Sequence, residues 1–290
     1  MILKHHIKQI EKVLNTEKIT KYNVLQISFN IVCLEFELLN TKKYIAKFYL
    51  KKKNFFNAII TEANNLLYLN KKFNFFPKII EFNNDYLITE YLENNKNKPN
   101  SSNPDFLQSL IKIHSVKNKL YGFKFNTQMG ALEQKNNFQN SWASFYVNKR
   151  LNPMFEMANK EKSMGNFINK KILFVINNIK KFIPDSPSAL LLHGDMWEGN
   201  ILFKDNKFVG FIDPGSFFGH NEMEIAYLRW FNPSFIDSEF LDKYNEYIKI
   251  DKNYNNYEPV YQLYYALCNV ALWDRSYIKE VKKILIKLKI

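Results

Sequence analysis

Residues 193–200 read His193-Gly194-Asp195-Met196-Trp197-Glu198-Gly199-Asn200. Asp195 is preceded two positions earlier by His193 and followed five positions later by Asn200. A strand-like run, Phe208-Val209-Gly210-Phe211-Ile212, then ends in Asp213-Pro214-Gly215. One carboxylate (Asp213) and one amide oxygen (Asn200) are hard oxygen donors of the kind Mg²⁺ prefers. A further carboxylate, Asp195, is placed to orient a hydroxyl and accept its proton. The set suits phosphoryl transfer, where charge sits on non-bridging oxygens and catalysis rests on positioning and neutralisation.

The spacing resembles the protein-kinase catalytic loop, His-Arg-Asp-x-x-x-x-Asn, with Gly194 at the Arg position. Asp213 then stands where the metal-binding Asp of Asp-Phe-Gly belongs. In a chain with 5 His and 8 Gly, chance assembly of His-Gly-Asp-x-x-x-x-Asn is on the order of one in a thousand. Upstream, Lys47 sits mid-strand in Ile45-Ala46-Lys47-Phe48, comparable to the Val-Ala-Ile-Lys of kinases. Glu62, on the next helix, is placed to pair with it, and together they are expected to hold the α- and β-phosphates of ATP. Glu90, Tyr91 and Leu92 end the last strand before a polar tract, and their backbone groups are the expected adenine-edge binders.

Around these motifs the chain divides into two unequal parts. Residues 30–39 and 44–49 are expected to form a hairpin across Asn40-Thr41-Lys42-Lys43. Residues 55–70 place Ile59, Ala63, Leu66, Leu67 and Leu69 near the helical period. Residues 77–81 and 86–91 pair across Asn83-Asn84-Asp85. Residues 93–105, rich in Asn, Pro and Ser, form the expected linker. Helices follow at 106–114, 137–159, 167–182, 221–230, 238–248 and 257–288, with β-like stretches at 190–193, 201–204 and 208–213. The expected fold is α+β, protein-kinase-like and two-lobed. A small antiparallel-sheet N-terminal lobe with one key helix (1–92) takes the nucleotide, and a larger, mainly helical C-terminal lobe (93–290) carries catalysis and the acceptor.

Composition excludes several other classes. With 46% hydrophobic and 16% aromatic residues, the chain has far too much apolar material for disorder. The first eight residues lack the apolar run of a signal peptide, and the later apolar stretches are too short to span a membrane. Cys33 and Cys268 suggest no disulfide framework, and both read as small core hydrophobes. The expected location is therefore a reducing cytoplasm. The net charge is +13, but the lysines are scattered. The Lys51-Lys52-Lys53 run and the lysines of 279–289 read as solvated faces, so no nucleic-acid partner is expected.

The longer motifs resemble one family, the fructosamine kinases (ketosamine-3-kinases), within the aminoglycoside and choline phosphotransferase superfamily. Residues 191–200 are similar to that family's Leu-Leu-His-Gly-Asp-Leu-Trp-Ser-Gly-Asn. Residues 212–222, Ile-Asp-Pro-Gly-Ser-Phe-Phe-Gly-His-Asn-Glu, resemble its Ile-Asp-Pro-Ala-x-Tyr-x-Gly-His-x-Glu. Glu224-Ile225-Ala226, Tyr121-Gly122-Phe123, residues 129–136 with Trp142, Phe145 and Arg150-Leu151, and the 261–273 helix continue the likeness. The resemblance implies ATP- and Mg²⁺-dependent phosphorylation of the sugar 3-hydroxyl of ketosamines, the adducts of sugars with amines, followed by loss of the sugar. Bacterial members are associated with ribulosamines and erythrulosamines more than with fructosamines. The implied partner is a glycated lysine, free or protein-bound, acted on by a monomer or weak dimer. Trp197, in a loop beside the base, offers an apolar platform for a sugar face or a lysine stem. His220, Glu222, Gln134 and Asn136 complete the expected acceptor site, while His114 reads as a structural helix residue.

One stretch departs from the family. Its nucleotide loop is Gly-rich, whereas residues 24–30 here, Val-Leu-Gln-Ile-Ser-Phe-Asn, hold no glycine. Ser28 or Asn30 is left to cap a phosphate, and the turn is expected to reach positive φ with difficulty. The rival readings are another phosphotransferase of the superfamily, acting on an aminoglycoside or choline, and a pseudokinase with weak ATP binding.

Overall fold

Strand β2 (Ile31–Leu38) alternates: Val32, Leu34, Phe36 and Leu38 are buried on one face, and Ile31, Cys33, Glu35 and Glu37 are half-buried on the other. It pairs with β1 (Ile19–Ser28) and β3 (Lys43–Tyr49) in an antiparallel sheet of order β1-β2-β3-β5-β4, completed by β4 (Ile79–Phe82) and β5 (Tyr86–Glu90). Helix α1 (Ile2–Val13) covers the apolar face. Ile10 joins Val32, Leu34, Phe36, Ala46, Phe48 and Ile88 in one core, and the His6 ring stacks on Phe48 at 4.2 Å. The register sets Lys47 opposite Cys33 and Leu87, so Lys47 faces the other way, toward the rest of the molecule.

The computed structural model describes residues 2–14, 18–51 and 56–290. Lys52 and Lys53 of the lysine run, and Phe55 at the start of an expected helix, lie outside the described residues. Helix α2 (Ala58–Leu69) is capped by Asn57, whose side chain accepts from Ile60 N. Its buried face, Ile59, Ala63, Leu66 and Leu69, joins the large core of the second part and not the core under α1.

The remaining elements are α3 (Pro104–His114), β6 (Lys117–Asn118), β7 (Thr127–Met129), β8 (Leu132–Gln134), α4 (Trp142–Tyr146), α5 (Asn152–Glu161), α6 (Asn166–Asn177), β9 (Ala189–Leu192), β10 (Ile201–Lys204), β11 (Lys207–Phe211), β12 (Phe217–Gly219), α7 (Asn221–Phe231), α8 (Ser238–Tyr247), α9 (Tyr254–Leu272) and α10 (Ile278–Lys287). The fold is α+β: an antiparallel-sheet N-terminal region and a helical C-terminal part of the kinase-like phosphotransferase type. Residues 93–103 are irregular but tethered, with Asn95 bonded to Phe203 O and Asp205, and Asn103 to Asn206 O. Among the described residues no helix is long and apolar enough to cross a membrane.

Four elements differ from expectation. Neither α1 nor β1 was expected, because β1 is exposed along most of its length and shows no clean alternation. The expected helix 137–159 is α4 and α5, joined through a π-helical turn at Val147–Leu151. Pro153, with no N–H to give, falls where that wide turn ends. The expected helix 257–288 breaks after Leu272, where the Asp274 side chain accepts from Ser276 N and starts a new turn.

Candidate active site

Strand β9, buried along its length, delivers His193 to the base of the cleft. The His193 ring is buried, lies parallel to Phe76, and its Nε2 donates to Ile212 O at 3.0 Å. That bond fixes the tautomer, and Nδ1 accepts from Asp195 N at 3.3 Å. Burial pushes the imidazole below its usual range, so it is neutral. His193 O accepts from Gly215 N at 2.9 Å, and Asn200 O accepts from Ile212 N at 3.1 Å. The catalytic loop and the Asp213 loop are thus stitched together. Gly194 has φ +90, and a Cβ there would lie 2.2 Å from Gly215 O. The close approach of the two loops therefore requires glycine where protein kinases carry Arg.

A residue to which the sequence analysis gave no role holds this loop in place. Glu224, fully buried on α7, accepts from His193 N at 3.0 Å and Gly194 N at 2.7 Å, and meets His114 Nε2 at 2.9 Å. Burial alone would raise its carboxyl. The hydrogen bond and charge of His114, with the loop N–H groups, more than offset this and hold it below the usual range. His114 Nδ1 in turn meets Tyr244 Oη at 2.6 Å.

Across the cleft, Lys47 Nζ reaches Glu62 at 2.7 and 2.8 Å and Asp213 Oδ1 at 2.5 Å. Burial would lower the ammonium, but the charges of Asp213 and Glu62 reverse that and keep Lys47 firmly protonated. Glu62 is pushed up to about 7, chiefly by burial, against the pull of Lys47. One turn beyond Glu62 on α2, buried Asn65 accepts from Ser216 N at 3.0 Å. This bond ties the helix carrying Glu62 to the loop carrying Asp213.

Asp195 is pushed up to about 7 by burial and by the charge of Asp213, while a bond from Asn200 works against the rise. Asn200 Nδ2 donates to Asp195 O at 2.8 Å, which leaves Oδ1 to meet a cation. Asp213 takes a left-handed backbone, φ +57, and its side chain is 43% exposed. Among the described residues no cluster of three His, Cys, Asp or Glu side chains forms a self-contained metal cage. Asp213 and Asn200 together fit Mg²⁺, which takes one or two protein ligands and completes its shell with phosphates and water.

The other expected site residues are placed as follows. Ser28 ends β1, and its Oγ accepts from Gln26 Nε2 at 3.0 Å. Phe29 and Asn30 form the β1–β2 turn with φ +51 and +65, so positive φ is reached without glycine. Glu90 N donates to Lys78 O, Tyr91 lies under Lys43 Nζ at 5.3 Å, and Leu92 O accepts from Asn94. Trp197 is half-buried. Its ring lies over Gly199 and against Phe231, with 5.6 Å between centroids.

The four remaining acceptor candidates are at most 5% exposed, and their side chains bond within the protein. Gln134 Nε2 donates to Gln128 O, and Asn136 bonds Arg150, Thr127 and Phe125. His220 meets Tyr261 Oη at 2.8 Å, and Glu222 accepts from Tyr257 and from Asp251 N. These bonds brace the loops around the site, while Gln134 Oε1 is buried with no hydrogen-bond partner among the described residues. In sequence, a polar residue bonded internally looks the same as one aimed at a ligand.

A Lys on the sheet paired with a Glu on helix α2, an Asp–Asn loop and a second Asp on the following loop, in a small-sheet and large-helical arrangement, define a kinase-like phosphotransferase. An ADP-bound aminoglycoside phosphotransferase shares the fold, with TM-score 0.58 and 16% identity over 99% of this chain and 96% of that one. Within that class the chain belongs to the fructosamine kinase family, whose model matches residues 4–290. A probable ketoamine kinase of Enterococcus faecium is 30% identical over 201 residues, 69% of this chain and 70% of that one. The structure of a Thermobifida fusca protein assigned as a fructosamine-3-kinase superposes with TM-score 0.86, at 20% identity, over 98% of both chains.

Proposed function

We propose that this enzyme transfers the γ-phosphoryl group of ATP to the sugar 3-hydroxyl of ketosamines, with residues 1–92 holding the nucleotide and 93–290 the acceptor. The observation that carries the reading is the meeting of Lys47, Glu62 and Asp213 across the cleft, beside a loop whose Asp195 is stitched to the Asp213 loop. Family membership supplies the acceptor class. Lys47, oriented by Glu62, binds the α- and β-phosphates, and the segment of Glu90, Tyr91 and Leu92 runs along the adenine. Mg²⁺, held by Asp213 and Asn200, supplies charge neutralisation at the phosphates. The 3-hydroxyl oxygen bonds to the γ-phosphorus, the bond to the β–γ bridging oxygen breaks, ADP leaves, and the hydroxyl proton passes to Asp195. The half-buried Trp197 ring serves as an apolar platform for the sugar or the lysine stem. The phosphorylated adduct then sheds its sugar, which makes the reaction a deglycation suited to a reducing cytoplasm.

Product analysis tests this. Ribuloselysine and fructoselysine are incubated with Mg-ATP and followed by phosphorus NMR and mass spectrometry. A ketosamine 3-phosphate that decays to free lysine is expected. Transfer to an aminoglycoside or to choline, with none to either ketosamine, would overturn the acceptor assignment.

A further inference from the structure

Two hairpins are rooted beside the Lys47–Asp213 contact. On the sheet side, Cys33 lies opposite Lys47, and β2 runs from there back through Ile31 to the Phe29-Asn30 turn. On the helical side, Gln128 of β7 donates to Pro214 O, and β7 runs on to the turn at Gly130. The tips of the two hairpins converge. The Phe29 ring lies 4.9 Å from the Trp273 ring, tilted by 58°. A Cβ on Gly130 would sit 3.1 Å from Leu272 Cδ1 and 3.6 Å from Phe29 Cε2. Gly130, at φ +55, therefore lets the second tip tuck between Leu272 and Phe29.

Phe29 holds a left-handed backbone at φ +51, a conformation that a bulky L-residue adopts only when its surroundings enforce it. Trp273, just past the end of α9, is 49% exposed and so is not needed to fill the core. Its ring is placed to hold Phe29. Aromatic pairs at this separation attract beyond their simple burial. We propose that Phe29 and Trp273 form a clasp that pins the nucleotide turn across the phosphate end of the cleft, so that a turn fixed at its tip does here what a glycine-rich turn does by freedom of backbone. Phe29 and Trp273 are positioning residues in this account, acting through the turn. The proposal rests on the phosphotransferase reading for its ligand but not for its geometry.

The two ideas can be tested separately. Mg-ADP binding is titrated calorimetrically in the full chain and in Phe29→Gly, Trp273→Ala, the double variant and Trp273→Phe. A clasp predicts about tenfold weaker binding in each of the first two, little further loss in the double variant, and less than threefold loss in Trp273→Phe. Phe29→Gly is the sharpest arm, since it relieves the positive φ and supplies the flexibility of a glycine-rich turn. Equal or tighter binding by Phe29→Gly, or losses that multiply in the double variant, would overturn the clasp. Hydrogen exchange of the amides of residues 26–33, without nucleotide, is measured alongside. Faster exchange in Trp273→Ala is expected, and unchanged exchange would overturn the clasp whatever the nucleotide does. An unmodified chain that binds no Mg-ADP, yet shows the exchange difference, would count against the phosphotransferase reading alone.

Discussion

The Glu224 carboxylate accepts two consecutive N–H groups, from His193 and Gly194, and also meets the His114 ring. This carboxylate thereby fixes the backbone just ahead of Asp195 directly. Gln at this position keeps the volume but turns an NH₂ toward one of those N–H groups, setting donor against donor in a buried site. The expected cost is about 2–4 kcal/mol of stability and at least a tenfold fall in kcat, with KM for ATP changed less than threefold because Lys47 and Glu62 are untouched. Urea unfolding and steady-state kinetics of Glu224→Gln check both, and an unchanged kcat would show that the loop holds its shape without this acceptor. Lys47, Glu62, Asp195, Asn200 and Asp213 were legible in the sequence because each sits at a local spacing set by its own strand, helix or loop. Glu224 had no such signal. Its role arises only when α7 packs behind β9, thirty residues away in the chain.

At the scale of elements, the N-terminus of α7 carries His220 and Glu222 into the interior with aromatic partners on both. Burial holds His220 down at about 3, and so neutral, and pushes the Glu222 carboxyl up. The signs oppose. A histidine whose folded pKa lies below its unfolded value of about 6.5 contributes stability that is complete above that value and lost as pH falls below it. A carboxyl raised on folding contributes stability at low pH that is lost as pH rises past about 4.5. The His220 share is therefore read from the difference between the unmodified chain and His220→Asn. Between pH 7 and 4 the unmodified chain should lose on the order of 3 kcal/mol more than the variant. Parallel stability curves from chemical denaturation across that range would contradict a neutral, buried His220. The elements differ in how plainly the sequence encodes them. Strand β2 announced itself by alternation, whereas β1 pairs along its whole length but stays exposed, and α1 shows its purpose only once the apolar sheet face beneath it is known. The breaks at Val147–Leu151 and after Leu272 depend on Pro153 and on an Asp274 cap, details that helical periodicity passes over.

Across the whole molecule, the cleft joins two cores that do not follow the boundary suggested by the linker. The core under α1 is confined to the sheet, while α2, which carries Glu62, is packed into the large helical core and bonded to the Asp213 loop through Asn65. Glu62 is thus referenced to the Asp213 loop, and Lys47 is the sheet's link to it. A sheet-rich first part and a helical second part could be read from the sequence as a change in pattern. The allegiance of α2 could not, since its apolar stripe fits either partner. In the proposed reaction this assembly delivers a hydroxyl to Asp195 for phosphoryl transfer. ADP release with ribuloselysine is measured for the unmodified enzyme and Asp195→Asn, with the Mg-ATP thermal shift of both recorded in parallel. The account predicts a roughly hundred- to ten-thousand-fold loss of turnover in Asp195→Asn with the nucleotide-induced shift retained; equal turnover by the two proteins would contradict it.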